Sequence, residues 1–489
     1  MRLEPGIALA CAMLLTAGCQ PAGRYSGPKS PATQPEPAKS LLPGPQPLPP
    51  DLVWIDPDRL APRGDLPLDF VHFGTDPEGW KRLPTFWNPP PLAVPGNVAS
   101  LLGLSPLTTE VLTAGQPRSV KIKVPLGLDD PRPHLPAFNP PTLAKWELGR
   151  RLFFDKSYLQ AKTGESCAGC HNPERGFTDN LQGHGGWNTP TLLNCLYNPH
   201  QFWDGRATYL EEVVQRTIDD ERETEAGPFR HVWGGIVRRL RANVDYRLQF
   251  RRTFGTEPTQ DAVARALATY LRTLLCGDSL YDRARRLQTE QKAAELEPAH
   301  FEALLDETAL KGLGREKAKK AEVAAELHRG YRLFFNKESG RSTNCTVCHG
   351  GGNFTDNGFH NLGIGVPAGG WKSGEEKGRF ATVPVGQKSA ALIGAFKTPT
   401  LRALLRTGPY LHTGEMTTLQ EVIGLHNEGG RLNPYLDEAM WADRQTLERR
   451  NLGLDAADVE ALVLFLWALN GATPEKALYP PHRANDPER

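Results

Sequence analysis

The chain has 489 residues, enough by length for about three domains, and sets 57 Lys and Arg against 56 Asp and Glu for a formal net charge of +1. So even a balance supplies no basic stripe for nucleic acid and no field to attract a polyanionic partner. Its 43 prolines and 48 glycines favour short helices joined by long, irregular loops.

Residues 1–19 carry Arg2, an apolar run from Ile7 to Ala17, and then Gly18-Cys19. The run is too short to span a bilayer and fits a signal peptide. Leu15-Thr16-Ala17-Gly18-Cys19 resembles a bacterial lipobox, whose cysteine is lipidated and becomes the mature N-terminus. An ordinary secretory signal cut nearby is the alternative, and export is expected either way. Residues 20–50, dominated by Pro, Ser, Gly and Lys, read as a disordered tether. Residues 51–121 hold Trp54, Trp80 and Trp87 among Pro-rich punctuation, with little helical periodicity. They form an extension to which no role can be assigned, either an irregular arm or a small module. His72 and His134 are lone histidines, a class more often structural than ligating.

The chemistry begins at Cys167-Ala168-Gly169-Cys170-His171, which recurs as Cys345-Thr346-Val347-Cys348-His349. C-x-x-C-H is the attachment signature of a c-type haem: two thiols add across the porphyrin vinyl groups and the histidine ligates the iron. A zinc site would need two more ligands at finger or ribbon spacing, and neither motif is followed by them. A redox dithiol is the other competitor. Four of the eight cysteines are thus in the motifs and Cys11 and Cys19 are in the leader. Cys195 and Cys276 lie in apolar runs and read as buried thiols, with a disulfide open to them in an oxidising compartment.

The two motifs sit in an internal repeat. Gly149-Arg150-Arg151-Leu152-Phe153-Phe154 precedes the first and Gly330-Tyr331-Arg332-Leu333-Phe334-Phe335 the second, each the end of an amphipathic helix. Gly176-Phe177-Thr178-Asp179-Asn180 and Asn353-Phe354-Thr355-Asp356-Asn357 follow as matching turns, and Asn188-Thr189-Pro190-Thr191-Leu192 echoes Lys397-Thr398-Pro399-Thr400-Leu401. Aligning the helix from Leu210 with the helix from Leu419 places Thr217 opposite His426. If that helix covers the distal side of each haem, His426 is the second ligand of the second iron. Thr217 is a poor iron ligand, which leaves the first iron open to a small molecule. Met416 is a weaker alternative to His426. The run from 285 to 326, rich in Arg, Lys, Glu and Ala, reads as a charged helical linker or insertion without chemistry of its own.

From Val124 to Pro474 the chain resembles the bacterial di-haem cytochrome c peroxidase family, which includes the MauG-like enzymes. The resemblance rests on Leu152-Phe153-Phe154-Asp155, the haem motifs, Asn188-Thr189-Pro190-Thr191, Gln201-Phe202-Trp203-Asp204-Gly205-Arg206, Gly394-Ala395-Phe396-Lys397-Thr398-Pro399-Thr400-Leu401-Arg402 and Thr407-Gly408-Pro409-Tyr410-Leu411-His412. It implies a mainly α fold with two cytochrome c-like domains: 122–284, peroxidatic, and 327–474, electron-transferring, followed by a tail at 475–489. It also implies two covalent c-type haems held by Cys167, Cys170, His171, Cys345, Cys348 and His349, with a calcium ion between the domains. The activity implied is reduction of hydrogen peroxide to water by electrons from a small cytochrome c or copper protein. MauG-like oxidation of a protein or small molecule is the enzymatic alternative, and a non-enzymatic electron-transfer or redox-sensing cytochrome is the remaining one. The setting would be periplasmic, with a membrane touched only through the lipid anchor; a homodimer is left open.

Residue by residue, Trp203 matches the tryptophan that relays electrons between the haems, against a core aromatic role of the kind suited to Phe202. Glu223 matches the distal acid–base glutamate, although Asp219-Asp220-Glu221-Arg222-Glu223 also reads as a solvated run. Asn188, with the carbonyls of Thr407 and Pro409, matches the calcium ligands. His184, in Gly183-His184-Gly185-Gly186, matches the loop histidine that caps the first iron in some members, and is equally suited to solvent. His360 and His412 are expected in propionate or packing roles. Three departures stand out: Trp187 where Arg is usual, Val213 and Thr217 where Gln and Pro are frequent, and His426 where the peroxidases have Met and MauG has Tyr. Histidine–histidine ligation lowers an iron's potential relative to histidine–methionine.

Overall fold

The structure, a computed structural model, describes residues 80–81 and 122–471, apart from positions 137, 140, 160–165, 180, 182–186, 220–232, 339–342, 368 and 376. These residues are mostly helical, with three two-stranded antiparallel ribbons as the only sheets among them. The leader, the tether and most of the extension lie outside the described residues; of the extension, Trp80–Lys81 pairs with Ile122–Lys123.

Each half is built on one packed pair of helices. In the first, Leu143–Phe154 is capped by Thr142, whose hydroxyl accepts from the Lys145 N–H at 3.3 Å, and packs against Gln260–Leu271, capped by Thr259. In the second, Lys320–Phe334 packs against Ala456–Trp467, which opens with a capping box of Asp455 and Asp458. A glycine sets the closeness of both pairs. A Cβ on Gly149 would stand 2.0 Å from the Ala266 carbonyl oxygen, and one on Gly330 would stand 2.0 Å from that of Ala461. Only a residue without a side chain lets the backbones approach so far. Aromatic side chains fill the space beside each contact: Trp146, Phe153 and Tyr270 in one core, Tyr331, Phe334 and Phe465 in the other.

The repeat seen in the sequence extends to backbone torsions. Phe177 and Phe354 have φ of 60° and 52°, Asn194 and Ala403 of 59° and 65°, Phe202 and Leu411 of 66° and 67°. Five of these six residues are neither glycine nor asparagine, so left-handed backbone is imposed on them by tertiary context.

The halves are joined by buried polar bonds. Arg402, 1% exposed, makes a bidentate pair with Asp282 at 2.7 and 3.0 Å, and donates to the carbonyls of Gly127 at 3.0 Å and Gly352 at 2.7 Å. Every donor aimed at a partner offsets the cost of burying the charge. Asn194 adds a bond from Nδ2 to Asn353 Oδ1 at 2.9 Å. The segment 285–326 carries several short helices, and its apolar residues belong to the second core: Leu296, Phe301, Leu305, Leu310 and Leu313 are all buried there. Cys195 and Cys276 are free, buried thiols rather than a disulfide.

Gly330→Ala and Gly149→Ala should each cost about 3 kcal/mol, the upper range for overpacking a close contact, read as a lowered urea midpoint. A surface control at Gly234, where a Cβ meets nothing within 4 Å, should show no such loss.

Candidate functional site

Each motif cysteine pair forms a single helical turn, Cys167–Cys170 and Cys345–Cys348, with the histidine as its C-terminal cap. The chain then folds back so that a phenylalanine carbonyl faces the ring. His171 Nδ1 donates to Phe177 O at 3.0 Å, and His349 Nδ1 donates to Phe354 O at 3.1 Å. These bonds settle the tautomer and leave Nε2 as the ligating nitrogen. Burial lowers the pKa of both imidazoles, that of His349 to about 4 with help from nearby His426. Both rings are therefore neutral donors at physiological pH. Burial also raises the Cys167 and Cys345 thiols to about 11.

The second motif opens on a cavity of about 380 Å³ lined by Cys345, Cys348 and His349, by His426, and by apolar walls that include Leu362, Ile364, Leu401 and Val422. His426 belongs to helix Leu419–Asn427, capped by Thr418 and Glu421, and its Nδ1 donates to Val422 O at 2.8 Å. Its Nε2 is thereby the free nitrogen, as in the two motif histidines. Two thiols, two neutral imidazoles with tautomers set by carbonyls, and apolar walls suit a covalent haem, which Cys345, Cys348, His349 and His426 would hold. Met416 is not among the lining residues and is buried with Ile364 and Leu425. In the first half the equivalent helix, Leu210–Asp219, carries Thr217 in the register of His426. It is anchored by the buried Glu211–Arg272 pair at 2.7 Å.

Trp203 comes from the first half yet lines the second half's cavity. Its indole N–H donates to Asn188 O at 2.7 Å, and its ring meets His412 edge-on at 6.4 Å. His412 is stacked on Phe396 at 3.5 Å, and Trp187 stands edge-on to Phe396 at 5.3 Å, so the departure at 187 adds a ring to this cluster. Burial pushes the His412 imidazole down to about 3, consistent with a packing role. Phe202 is half-buried, with the Arg206 guanidinium 3.6 Å from its ring centroid.

Asn188 is brought to the second half by the strand-like bond from its N–H to His412 O at 2.7 Å. Its side-chain Nδ2 donates to Pro409 O at 2.6 Å and Leu411 O at 3.0 Å. Leu411 thus joins the expected Pro409 as a partner of this amide. Turning the amide over would present Oδ1 beside those two carbonyls, the hard oxygen donors that calcium takes. Glu223 and His184 lie outside the described residues.

Sequence reasoning missed the partners of His360. Its Nδ1 and Nε2 are each 2.9 Å from a carboxylate, of Asp437 and Asp356 respectively, and these bonds hold the imidazolium up to about 12. Cys348, Asp356 and His360 place donor atoms within 4.8 Å of one another, a metal-like grouping. With both ring nitrogens donating, however, His360 has no lone pair for an ion. The only sequence signal was the Asp four residues before the His. A raised histidine pKa stabilises fully below the unfolded value of about 6.5 and is lost as pH rises toward the folded one. His360→Gln should therefore cost most stability near pH 6, and the gap to the parent protein should narrow steadily on titration to pH 9 in urea unfolding.

The model of the di-haem cytochrome c peroxidase family matches residues 143–291. The chain is 32% identical over 371 residues to the methylamine utilization protein MauG of Methylorubrum extorquens, covering 74% of this chain and 90% of that protein. It is 27% identical over 340 residues to the cytochrome c551 peroxidase of Pseudomonas aeruginosa, covering 67% of this chain and 79% of that one. Among solved structures, a MauG-like protein associated with microbial copper homeostasis superposes with a TM-score of 0.55 at 26% identity, over 74% of this chain and 99% of the other. Two haem-attachment turns, a shared helical plan and a 32% identical relative covered across 90% of its length lead to one conclusion: the chain belongs to the di-haem cytochrome c peroxidase family that includes MauG, and it is an oxidoreductase.

Proposed function

We propose that the protein reduces hydrogen peroxide to water, with electrons passing from the C-terminal haem domain to the N-terminal one. The observation that carries this reading is the asymmetry of the halves: His426 shares a cavity with His349, whereas the equivalent position on the first half's helix is Thr217. Bound haem supplies the redox chemistry, one peroxide taking two electrons and two protons to give two waters. The chain's own residues hold and organise it. Cys167, Cys170 and His171 hold the first haem, and Cys345, Cys348, His349 and His426 the second. Trp203, at the wall of the second cavity and bonded to Asn188 of its own half, relays electrons toward the first. Glu223 moves the proton between the peroxide oxygens. Asn188, with the carbonyls of Thr407 and Pro409, would hold a calcium ion that ties the halves beside the relay, and the Leu411 carbonyl lies within reach of the same amide.

The donor is a small cytochrome c or copper protein, and the setting is periplasmic, with the lipobox-like Leu15–Cys19 as anchor. Among the described residues no helix is long and apolar enough to cross a membrane. A second reading, peroxide-driven oxidation of a protein substrate, is favoured by the aromatic group of Trp187, Phe396, His412 and Trp203, which offers steps for electrons beyond the relay alone. Peroxide consumption that modifies a partner without any cytochrome donor would select it.

Low-temperature EPR of the resting protein should show one high-spin and one low-spin signal, the latter lost in His426→Ala. Two low-spin signals would overturn the open first iron and direct attention to His184. Glu223→Gln should lower kcat for peroxide about 100-fold, the lower end for losing a general acid–base group, with the absorption spectrum unchanged. An unaltered kcat would remove Glu223 from the mechanism.

A further inference from the structure

Three consecutive backbone carbonyls of the relay turn are taken by the other half of the molecule. Trp203 O accepts from the Lys397 N–H at 2.8 Å, Asp204 O from the Thr382 hydroxyl at 2.8 Å, and Gly205 O from the Arg379 guanidinium at 2.5 Å. All three donors lie on one stretch, 377–398, which follows the second haem motif. We propose that this stretch is a clamp that positions the Trp203 indole at the second haem, with Arg379 and Thr382 as positioning residues for interdomain electron transfer. The inference rests on the reading of Trp203 as the relay.

The clamp is itself held firmly. Arg379 is stacked on Phe359, 4.6 Å from guanidinium carbon to ring centroid, and its second terminal nitrogen lies 3.4 Å from His200 Nε2. Its own N–H donates to Ala395 O at 2.8 Å, and Gly394 N–H donates to Lys377 O at 2.9 Å, so both ends of the loop are laced to the base of the Phe396–Lys397 strand. Two glycines make the fit close. Gly378, at φ 79°, would bring a Cβ within 2.5 Å of Ala395 O; Gly205, at φ 70°, would bring one within 2.4 Å of the Phe359 ring. The turn carrying Trp203 is therefore pressed against Phe359 and gripped at each successive carbonyl, while the indole N–H is fixed separately by Asn188 O. Three carbonyl bonds in series restrain a segment along its length and about its axis, which one bond cannot do. Electron tunnelling falls exponentially with distance, so a relay gains from restraint far from its own ring.

The test is stopped-flow mixing of half-reduced holoprotein with hydrogen peroxide, following re-oxidation of the second haem in Arg379→Gln, in Thr382→Val, and in both combined with Trp203→Phe. Thr382→Val keeps the shape and removes only the donor, which guards against misfolding of the arginine variant. The expected result is a loss of about tenfold for either clamp variant, well short of the roughly 10²-fold that a 1 Å misplacement can cost, with both midpoint potentials unchanged and no further loss in the Trp203→Phe background. Unchanged rates in the clamp variants, with Trp203→Phe slow, would overturn the clamp and leave the relay standing. Losses that multiply with Trp203→Phe would also overturn it, because the stretch would then serve the packing of the halves rather than the indole. An unaltered rate in Trp203→Phe alone would remove the relay, and the clamp with it.

Discussion

A left-handed phenylalanine behind each motif histidine is the constraint on which both halves depend. Phe177 and Phe354 adopt φ of 60° and 52°, a region that costs a bulky residue about 1–3 kcal/mol. The reward is geometric. The reversed backbone turns the carbonyl of that residue onto His Nδ1, and the ring of the same residue is buried in the core, Phe177 at 0% and Phe354 at 3% exposure. A glycine would adopt the torsion freely but would give up the core packing that holds the turn in place. One residue thus orients the motif histidine and ties it to the helix pair behind it.

From that shared frame the halves diverge in their covers rather than their cradles. The helix pairs match down to the glycine at the contact, and the proximal turns match down to the torsion. The covering helices match in register but not in chemistry: His426 stands on one where Thr217 stands on the other. Divergence at a position that lines a cavity leaves the helix–helix contact untouched, whereas change at Gly149 or Gly330 would separate the helices of the core.

The contact between the halves is polar and specific. Arg402 joins four points of the chain through one buried guanidinium, Asn188 reaches the Pro409–Leu411 carbonyls, and the stretch 377–398 takes the carbonyls around Trp203. Apolar packing alone is tolerant of sliding. Directional bonds to successive carbonyls fix register, which is what a relay between two redox centres requires.

Much of this was legible along the chain, because it rests on local spacing. C-x-x-C-H names its own chemistry, the repeat follows from motif order, and the pairing of Thr217 with His426 needs only an alignment of two helices. The buried state of Cys195 and Cys276 followed from their apolar surroundings. What only the tertiary structure decided is what joins residues distant in sequence: the carbonyls at His171 and His349 required a backbone torsion that no residue type announces. His360 required Asp437, and the carbonyls of Trp203, Asp204 and Gly205 required Lys397, Thr382 and Arg379. The segment 285–326 is the same case, since its charged faces dominate the composition while five leucine and phenylalanine side chains settle where it packs. Backbone carbonyls carry no sequence signature, and long-range hydrogen bonds have no period. The sequence therefore pointed to the candidate groups for chemistry, and the fold decided how they are aimed.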